Sequence, residues 1–370
     1  MNSKGQTVAL VPVDMAAPYD LDHSHAAFQT EYNSGAMNGW DLVHTYCPSG
    51  TCNPLTAFGY VPQAEVQPYF QMAEKFVFAD RMFQTNQGPS FPAHQYIFGA
   101  TSTNAASSNL LASENPRYAN LNRNNCDGDP GSVVAMIDPG GSESTLLPPC
   151  FDHQTLADLL DAKGISWKYY TPGIGGLWVG PDAILHIRNG SDWVKVVTPQ
   201  TQIFNDISIG QLPNVSWVIP TGQSSDHALG TDGTGPSWVA SIVNAVGESQ
   251  YWNSTAIFIT WDDWGGWFDH VKPQILDSYE LSFRVPLIVV SPYAKSGYIS
   301  HQQHEFASIL HYIEDNWGLG TLGFTDARAD DLADCFNYSQ TPIVFQPITS
   351  AHSAAYFKSL PISNAPVDNE

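Results

Sequence analysis

Apolar residues along this chain fall into short blocks of two kinds: runs of successive β-branched and aromatic residues, and runs that repeat every three to four positions. The first kind predicts strands and the second helices. Thr7-Val-Ala-Leu-Val-Pro-Val13 reads as an edge strand, because Pro12 lacks the N–H that a central strand needs. From 63 to 78, Val66, Tyr69, Phe70, Ala73 and Phe76 share one helical face. After residue 150 the alternation becomes regular. A helix over 155–163 is stopped by Gly164, a strand covers 165–170, a strand over 214–219 is stopped by Pro220, and a helix over 236–246 has Pro236 in its first turn. Strands at 255–261 and 285–290 and a helix from 305 to 317 complete the series. Such alternation predicts an α/β fold with a doubly wound, mainly parallel sheet flanked by helices. Residues 102–150 are rich in Ser, Asn, Gly, Asp and Pro and read as a long loop-rich insertion.

The strand that ends at Trp261 carries the strongest chemical signal. It runs directly into Asp262, Asp263, Trp264, Gly265 and Gly266. In open α/β sheets the C-terminal ends of strands are where ligands bind. Adjacent carboxylates repel one another unless a cation sits beside them, so the pair suggests a divalent metal site. A solvated turn is the plainer alternative, since Asp and Gly are common turn residues. Oxygen donors favour Ca²⁺, Mg²⁺ or Mn²⁺, while added histidines keep Zn²⁺ open.

Composition restricts the partners. With 14 Lys and Arg against 36 Asp and Glu the net charge is −22, which makes nucleic acid and anionic lipid surfaces poor electrostatic partners. A phosphate group would have to be held locally. No apolar run is long enough for a stable membrane insertion, and Met1-Asn-Ser-Lys-Gly5 lacks the apolar core of a signal peptide. Cys47 with Cys52 and Cys126 with Cys150 are candidate disulfides among five cysteines.

Hydrolysis of a phosphate ester needs a nucleophile, positive charge on the phosphoryl oxygens and an acid for the leaving group. Ser90 lies in Gln87-Gly-Pro-Ser-Phe-Pro92, a rigid turn suited to presenting a hydroxyl. His23 and His25, His227, His270, and His301 with His304 all stand beside Asp or Ser in loops. Singly each reads as structural. Together they suggest a shared site.

Several ordered blocks carry a more specific likeness: Gly59-Tyr-Val-Pro62, Phe78-Ala-Asp-Arg-Met-Phe83, Gly88-Pro-Ser90, Ser225-Asp-His227, Trp252 to His270, and Arg284 to Ala294. They resemble the bacterial phosphoesterase family of nonspecific phospholipases C and AcpA-type acid phosphatases, whose fold is of the alkaline phosphatase type. The resemblance spans residues from about 10 to about 340. It implies a single phosphoesterase domain over 1–370, a phosphate-ester substrate, and a secreted or periplasmic home for the full-length protein. It further implies that Asp262, Asp263 and Ser90 bind the metal, that Ser90 is the nucleophile, and that His23, His227 and His301 bind phosphate or protonate the leaving group. His270, His25 and His304 rank lower. Family members open with a strand and a Glu-Asn-Arg-Ser-Phe-Asp type motif, which nothing before Asp20 supplies, so an N-terminal truncation and an incomplete metal shell are expected. Glu114-Asn115-Pro116-Arg117 comes too late in the order and follows no buried strand, so it is expected to take no part. Two rivals remain. A sulfatase or phosphonate hydrolase would need Arg where Ser90-Phe-Pro-Ala-His94 has His94, and a noncatalytic remnant would keep the fold without the metal.

Overall fold

The computed structural model describes residues 1–362 apart from 49, 51, 54, 121 and 122. Two sheets organise it. One has four strands in the order Ile257–Thr260, Leu287–Val290, Val77–Ala79, Tyr298–Ser300; its first two pairings are antiparallel and its last is parallel. The other has three parallel strands in the order Val196–Val197, Trp167–Tyr170, Val215–Val218. The α/β class with flanking helices is thus the observed one, but the sheets are small and mixed rather than one mainly parallel sheet. Ile257–Thr260 and Leu287–Val290 pair antiparallel, and the long loop passage over 261–286 that joins them holds no crossover helix of the kind a parallel pair needs.

Helix ends follow local chemistry. Thr155 and Asp158 form a reciprocal capping box at the Leu156–Ala162 helix, and Glu305 with Ser308 does the same for Phe306–Trp317. Gly318, at φ +59°, closes the latter in the left-handed conformation.

The Ser90–Gly99 helix sits between the two halves of the core. Ala93 and Tyr96 pack into the cluster around the four-stranded sheet, while Phe91 and Phe98 pack into the cluster around the parallel sheet. Nearly all of its residues are therefore buried. Each large apolar side chain so enclosed contributes about 1.5–3 kcal/mol, which fixes the helix and with it the position of Ser90.

Residues 102–150 are less loop-like than their composition predicts. They hold a three-stranded antiparallel sheet of Leu111–Ala112, Val134–Ile137 and Thr145–Leu147, and Val134, Met136 and Ile137 enter the core. The strands are too short to register as a period. Cys47–Cys52 and Cys126–Cys150 are both bonded, and Cys335 is a buried free thiol. Among the described residues no helix is long and apolar enough to cross a membrane.

Candidate active site

Asp262 and Asp263 leave the Ile257–Thr260 strand beside the first turn of the Ser90–Gly99 helix. The Ser90 hydroxyl donates to Asp263 Oδ2 at 3.1 Å, and the backbone N–H of Gly265 donates to Asp263 Oδ1 at 2.7 Å. Gly266 allows the loop to close on the next segment. It has φ +74°, and a Cβ there would lie 2.5 Å from Leu21 Cβ and 3.0 Å from the Asp22 carbonyl. That approach brings in His23, whose Nε2 is 3.9 Å from Asp263 Oδ2.

His23 and His227 are held alike. Nδ1 of His23 lies 2.7 Å from the Leu21 carbonyl, and Nδ1 of His227 lies 2.7 Å from the Ala228 carbonyl. A carbonyl only accepts, so in each ring Nδ1 carries the proton and Nε2 of the neutral form is the basic nitrogen. The two rings are 5.7 Å apart. His94, one turn after Ser90 on the same helix face, places Nε2 3.4 Å from Asp262 Oδ2. Trp178 flanks both His94 and His227.

Burial pushes both carboxylates toward the neutral form. For Asp262 the His94 imidazole outweighs burial and holds the group below its ordinary range. For Asp263 burial dominates, the Asp262 charge adds to it, and the group is raised despite His23. The donor set suits a hard divalent cation: two carboxylates and a serine hydroxyl, with Asp262 Oδ2 buried and approached by no donor in good hydrogen-bond geometry. Another compact group, His304 with Asp334 and Cys335, lies elsewhere. It is the poorer candidate, because the Ser300 hydroxyl is 2.9 Å from His304 Nε2 and burial pushes the Cys335 thiol far up.

A model of the phosphoesterase family matches residues 6–320. The chain belongs to the phosphoesterase family. It is similar to phospholipase C B of Mycobacterium tuberculosis, at 23% identity over 89% of this chain and 66% of that protein. Non-hemolytic phospholipase C of Pseudomonas aeruginosa is also 23% identical, over 86% of this chain and 47% of that protein. This phosphoesterase chain therefore spans between about half and two thirds of the length of these curated relatives. A solved structure titled "Crystal structure of Ps i-CgsB" aligns over 90% of this chain and 76% of its own, at 10% identity and a TM-score of 0.42.

Of the residues expected from sequence, the phosphoesterase fold brings Ser90, Asp262, Asp263, His23 and His227 together. His301 stands apart, with a side chain 73% exposed and Nδ1 2.7 Å from Asp80 Oδ2. His270 is likewise exposed. His25 is buried, with Nδ1 3.0 Å from Glu143 Oε1, and His304 is buried against Asp330. His94 was missed as a site residue, although its place four residues after Ser90 on a helix was a usable signal. Glu114 and Asn115 correct a further expectation. Asn115 Oδ1 accepts from the Phe91 N–H at 2.9 Å, and Glu114 Oε1 accepts from the His25 N–H at 3.1 Å, so both pack beside the site. Burial, with Glu143 nearby, pushes Glu114 up to about 8. Sequence order hid them because the small antiparallel sheet folds back over the helix that starts at Ser90.

Proposed function

We propose that this chain hydrolyses phosphate esters with Ser90 as nucleophile. The observation that carries the reading is the Ser90 hydroxyl, held 3.1 Å from Asp263 where two neutral-capable histidines and the Asp262–His94 pair converge. A divalent cation bound by Asp262, Asp263 and Ser90 would neutralise phosphoryl charge and lower the pKa of the serine hydroxyl. In the reaction the Ser90 oxygen forms a bond to phosphorus as the bond to the ester oxygen breaks. The serine proton leaves to solvent, because the Asp263 carboxylate that accepts it in the free site would then be engaged by the cation. His23 or His227, when protonated at Nε2, gives a proton to the departing alcohol. Water then attacks the phosphoserine, regenerating Ser90 and releasing phosphate or a phosphorylated head group.

Relatives that are named phospholipases C support a phospholipid diester as substrate, and a small phosphomonoester would use the same core. His301, on the surface beside Asp80, has no part in this mechanism. A secreted or periplasmic home fits a substrate of that kind. The test is turnover of a chromogenic phosphate ester and a phosphorylcholine ester after chelation and again after Ca²⁺, Mg²⁺, Mn²⁺ or Zn²⁺ is returned. Metal-dependent turnover that Ser90→Ala loses supports the proposal. Absence of turnover with every ion would favour the noncatalytic reading.

A further inference from the structure

Away from the catalytic residues, His304, Asp334 and Cys335 bring three kinds of donor together: an imidazole nitrogen, a carboxylate oxygen and a thiol sulfur, all within 4.8 Å of one another. They join two segments. His304 follows the strand Tyr298–Ser300, which forms one edge of the four-stranded sheet, and Asp334 and Cys335 lie in the short 3₁₀ turn Ala333–Cys335. The spacing is close to that of a tetrahedron. Asp334 Oδ1 is 3.7 Å from His304 Nε2 and 3.6 Å from Cys335 Sγ. Zinc bonds of about 2.0 Å to nitrogen or oxygen and about 2.3 Å to sulfur, set at a tetrahedral angle, separate such donors by about 3.3 and 3.5 Å. Shifts of a few tenths of an ångström would close the three atoms onto one ion.

The imidazole is already backed in the way that metal-binding histidines are. Its Nδ1 lies 2.8 Å from Asp330 Oδ1, which also accepts from the Ser308 hydroxyl at 2.7 Å, while Asp330 Oδ2 accepts from the Leu332 N–H at 3.1 Å. A carboxylate so occupied only accepts, so Nδ1 carries the proton and Nε2 of the neutral ring offers its lone pair on the side of Asp334. Counting protons there leaves a deficit. Ser300 Oγ is 2.9 Å from His304 Nε2 and 2.6 Å from Asp334 Oδ2, yet it has one proton to give. Given to Asp334, it leaves Nε2 facing an oxygen lone pair; given to Nε2, it leaves two oxygens in contact without a proton. A second proton on His304 would fill the deficit, and so would a cation.

We propose that His304 Nε2, Asp334 Oδ1 and Cys335 Sγ bind one zinc ion, which fastens the edge strand to the 330–335 segment. A thiolate with an imidazole selects zinc over Ca²⁺ or Mg²⁺, so the features that make this group a poor seat for a hard catalytic ion suit this one. Burial pushes the Cys335 thiol up, and it therefore keeps its proton until the ion displaces it. Binding forms the bonds from zinc to sulfur, nitrogen and oxygen and releases that one proton, while Ser300 keeps its own on Asp334 Oδ2. The Asp334 side chain, 21% exposed, gives the ion its way in and leaves room for a water as fourth ligand.

Cobalt reports the site without recourse to activity. The intact chain, stripped of metal by a chelator, is titrated with Co²⁺ under nitrogen and then with Zn²⁺. Because the other four cysteines are bonded, a sulfur-to-cobalt charge-transfer band can arise only from Cys335. The band should saturate at one ion per chain, with the strong visible absorption of tetrahedral cobalt, and Zn²⁺ should bleach it. Cys335→Ser should abolish it, and His304→Gln and Asp334→Asn should each weaken Co²⁺ binding at least tenfold, whereas Asp262→Asn should leave it unchanged. Asp334 lies partly at the surface, so its variant keeps the test open should His304→Gln unfold. Zinc at about a hundredfold above its dissociation constant should raise the melting temperature by about 3–5 °C more in wild type than in Cys335→Ser. No thiolate band in wild type, an affinity that neither His304→Gln nor Asp334→Asn changes, or zinc binding that Asp262→Asn loses and Cys335→Ser keeps would overturn the proposal. The three ligands take no part in the catalytic scheme, so failure here would leave the phosphate-ester reading untouched.

Discussion

Removing the His94 side chain tests the electrostatics of the site directly. Asp262 and Asp263 are adjacent, their side chains are 28% and 8% exposed, and His94 Nε2 is 3.4 Å from Asp262. A hydrogen-bonded or charged partner of a carboxylate contributes about 1.5–3 kcal/mol, and stripping the partner from a buried carboxylate costs up to about 3–5 kcal/mol. Because Asp262 is partly exposed, solvent screens part of this, and His94→Ala should lose about 2–3 kcal/mol. At roughly 2 °C per kcal/mol for a chain of this size, the melting temperature should fall by about 4–6 °C. His94→Gln, whose amide N–H can reach toward Asp262, should lose less than half as much. Thermal unfolding followed by circular dichroism, at fixed pH and without divalent ions, gives the comparison. Saturating divalent cation should narrow the gap between wild type and His94→Ala, because a cation beside the pair would relieve the same repulsion. A loss within about 0.5 kcal/mol for His94→Ala, the scatter of an ordinary surface substitution, would refute the claim that this histidine steadies the pair.

Gly266→Ala should destabilise by about 3 kcal/mol and cut turnover more than tenfold, since φ +74° disfavours a side chain and its Cβ would meet Leu21, moving the segment that carries His23; wild-type melting and turnover would show that the close approach is not needed. Glu314 predicts a pH dependence. Burial, with Asp326 nearby, raises its carboxyl to about 8 from an ordinary 4.5, so its contribution to stability is full below the unfolded value and is lost as pH rises through the folded one. Between pH 5 and 8 the wild type should lose about 2–3 kcal/mol that Glu314→Gln keeps, after allowance for screening. Parallel denaturant titrations across that range check it, and equal slopes for the two proteins would refute it.

Much of the fold was legible because its elements have strong local signals. The Leu156–Ala162 helix ahead of Gly164 and the strands Trp167–Tyr170, Val215–Val218 and Ile257–Thr260 all lie where pattern placed them. Sheet pairing was not legible: whether Leu287–Val290 runs parallel or antiparallel to its neighbours depends on the path of the loop between them, which has no periodicity. At the candidate site, strand-end and turn chemistry pointed to Asp262, Asp263 and Ser90, which the structure brings together. His94 is less conspicuous, being a histidine inside a buried helix rather than in a loop. Glu114 and Asn115 escaped because three short strands, two to four residues each, carry them back to Ser90. His301 drew notice from its company in sequence, and its exposed seat on Asp80 is a tertiary fact that no spacing encodes.

Transfer of phosphorus to Ser90 would leave a covalent intermediate that can be trapped. The chain would be mixed with a phosphate ester and a divalent cation, quenched in acid within the first turnovers, digested, and mapped by mass spectrometry. A phosphoryl group is expected on the peptide that contains Ser90 in wild type, and none in Ser90→Ala, whose stability should change by no more than about 1–2 kcal/mol for one lost hydrogen bond. A phosphoryl group on another residue, or undiminished turnover by Ser90→Ala, would contradict it.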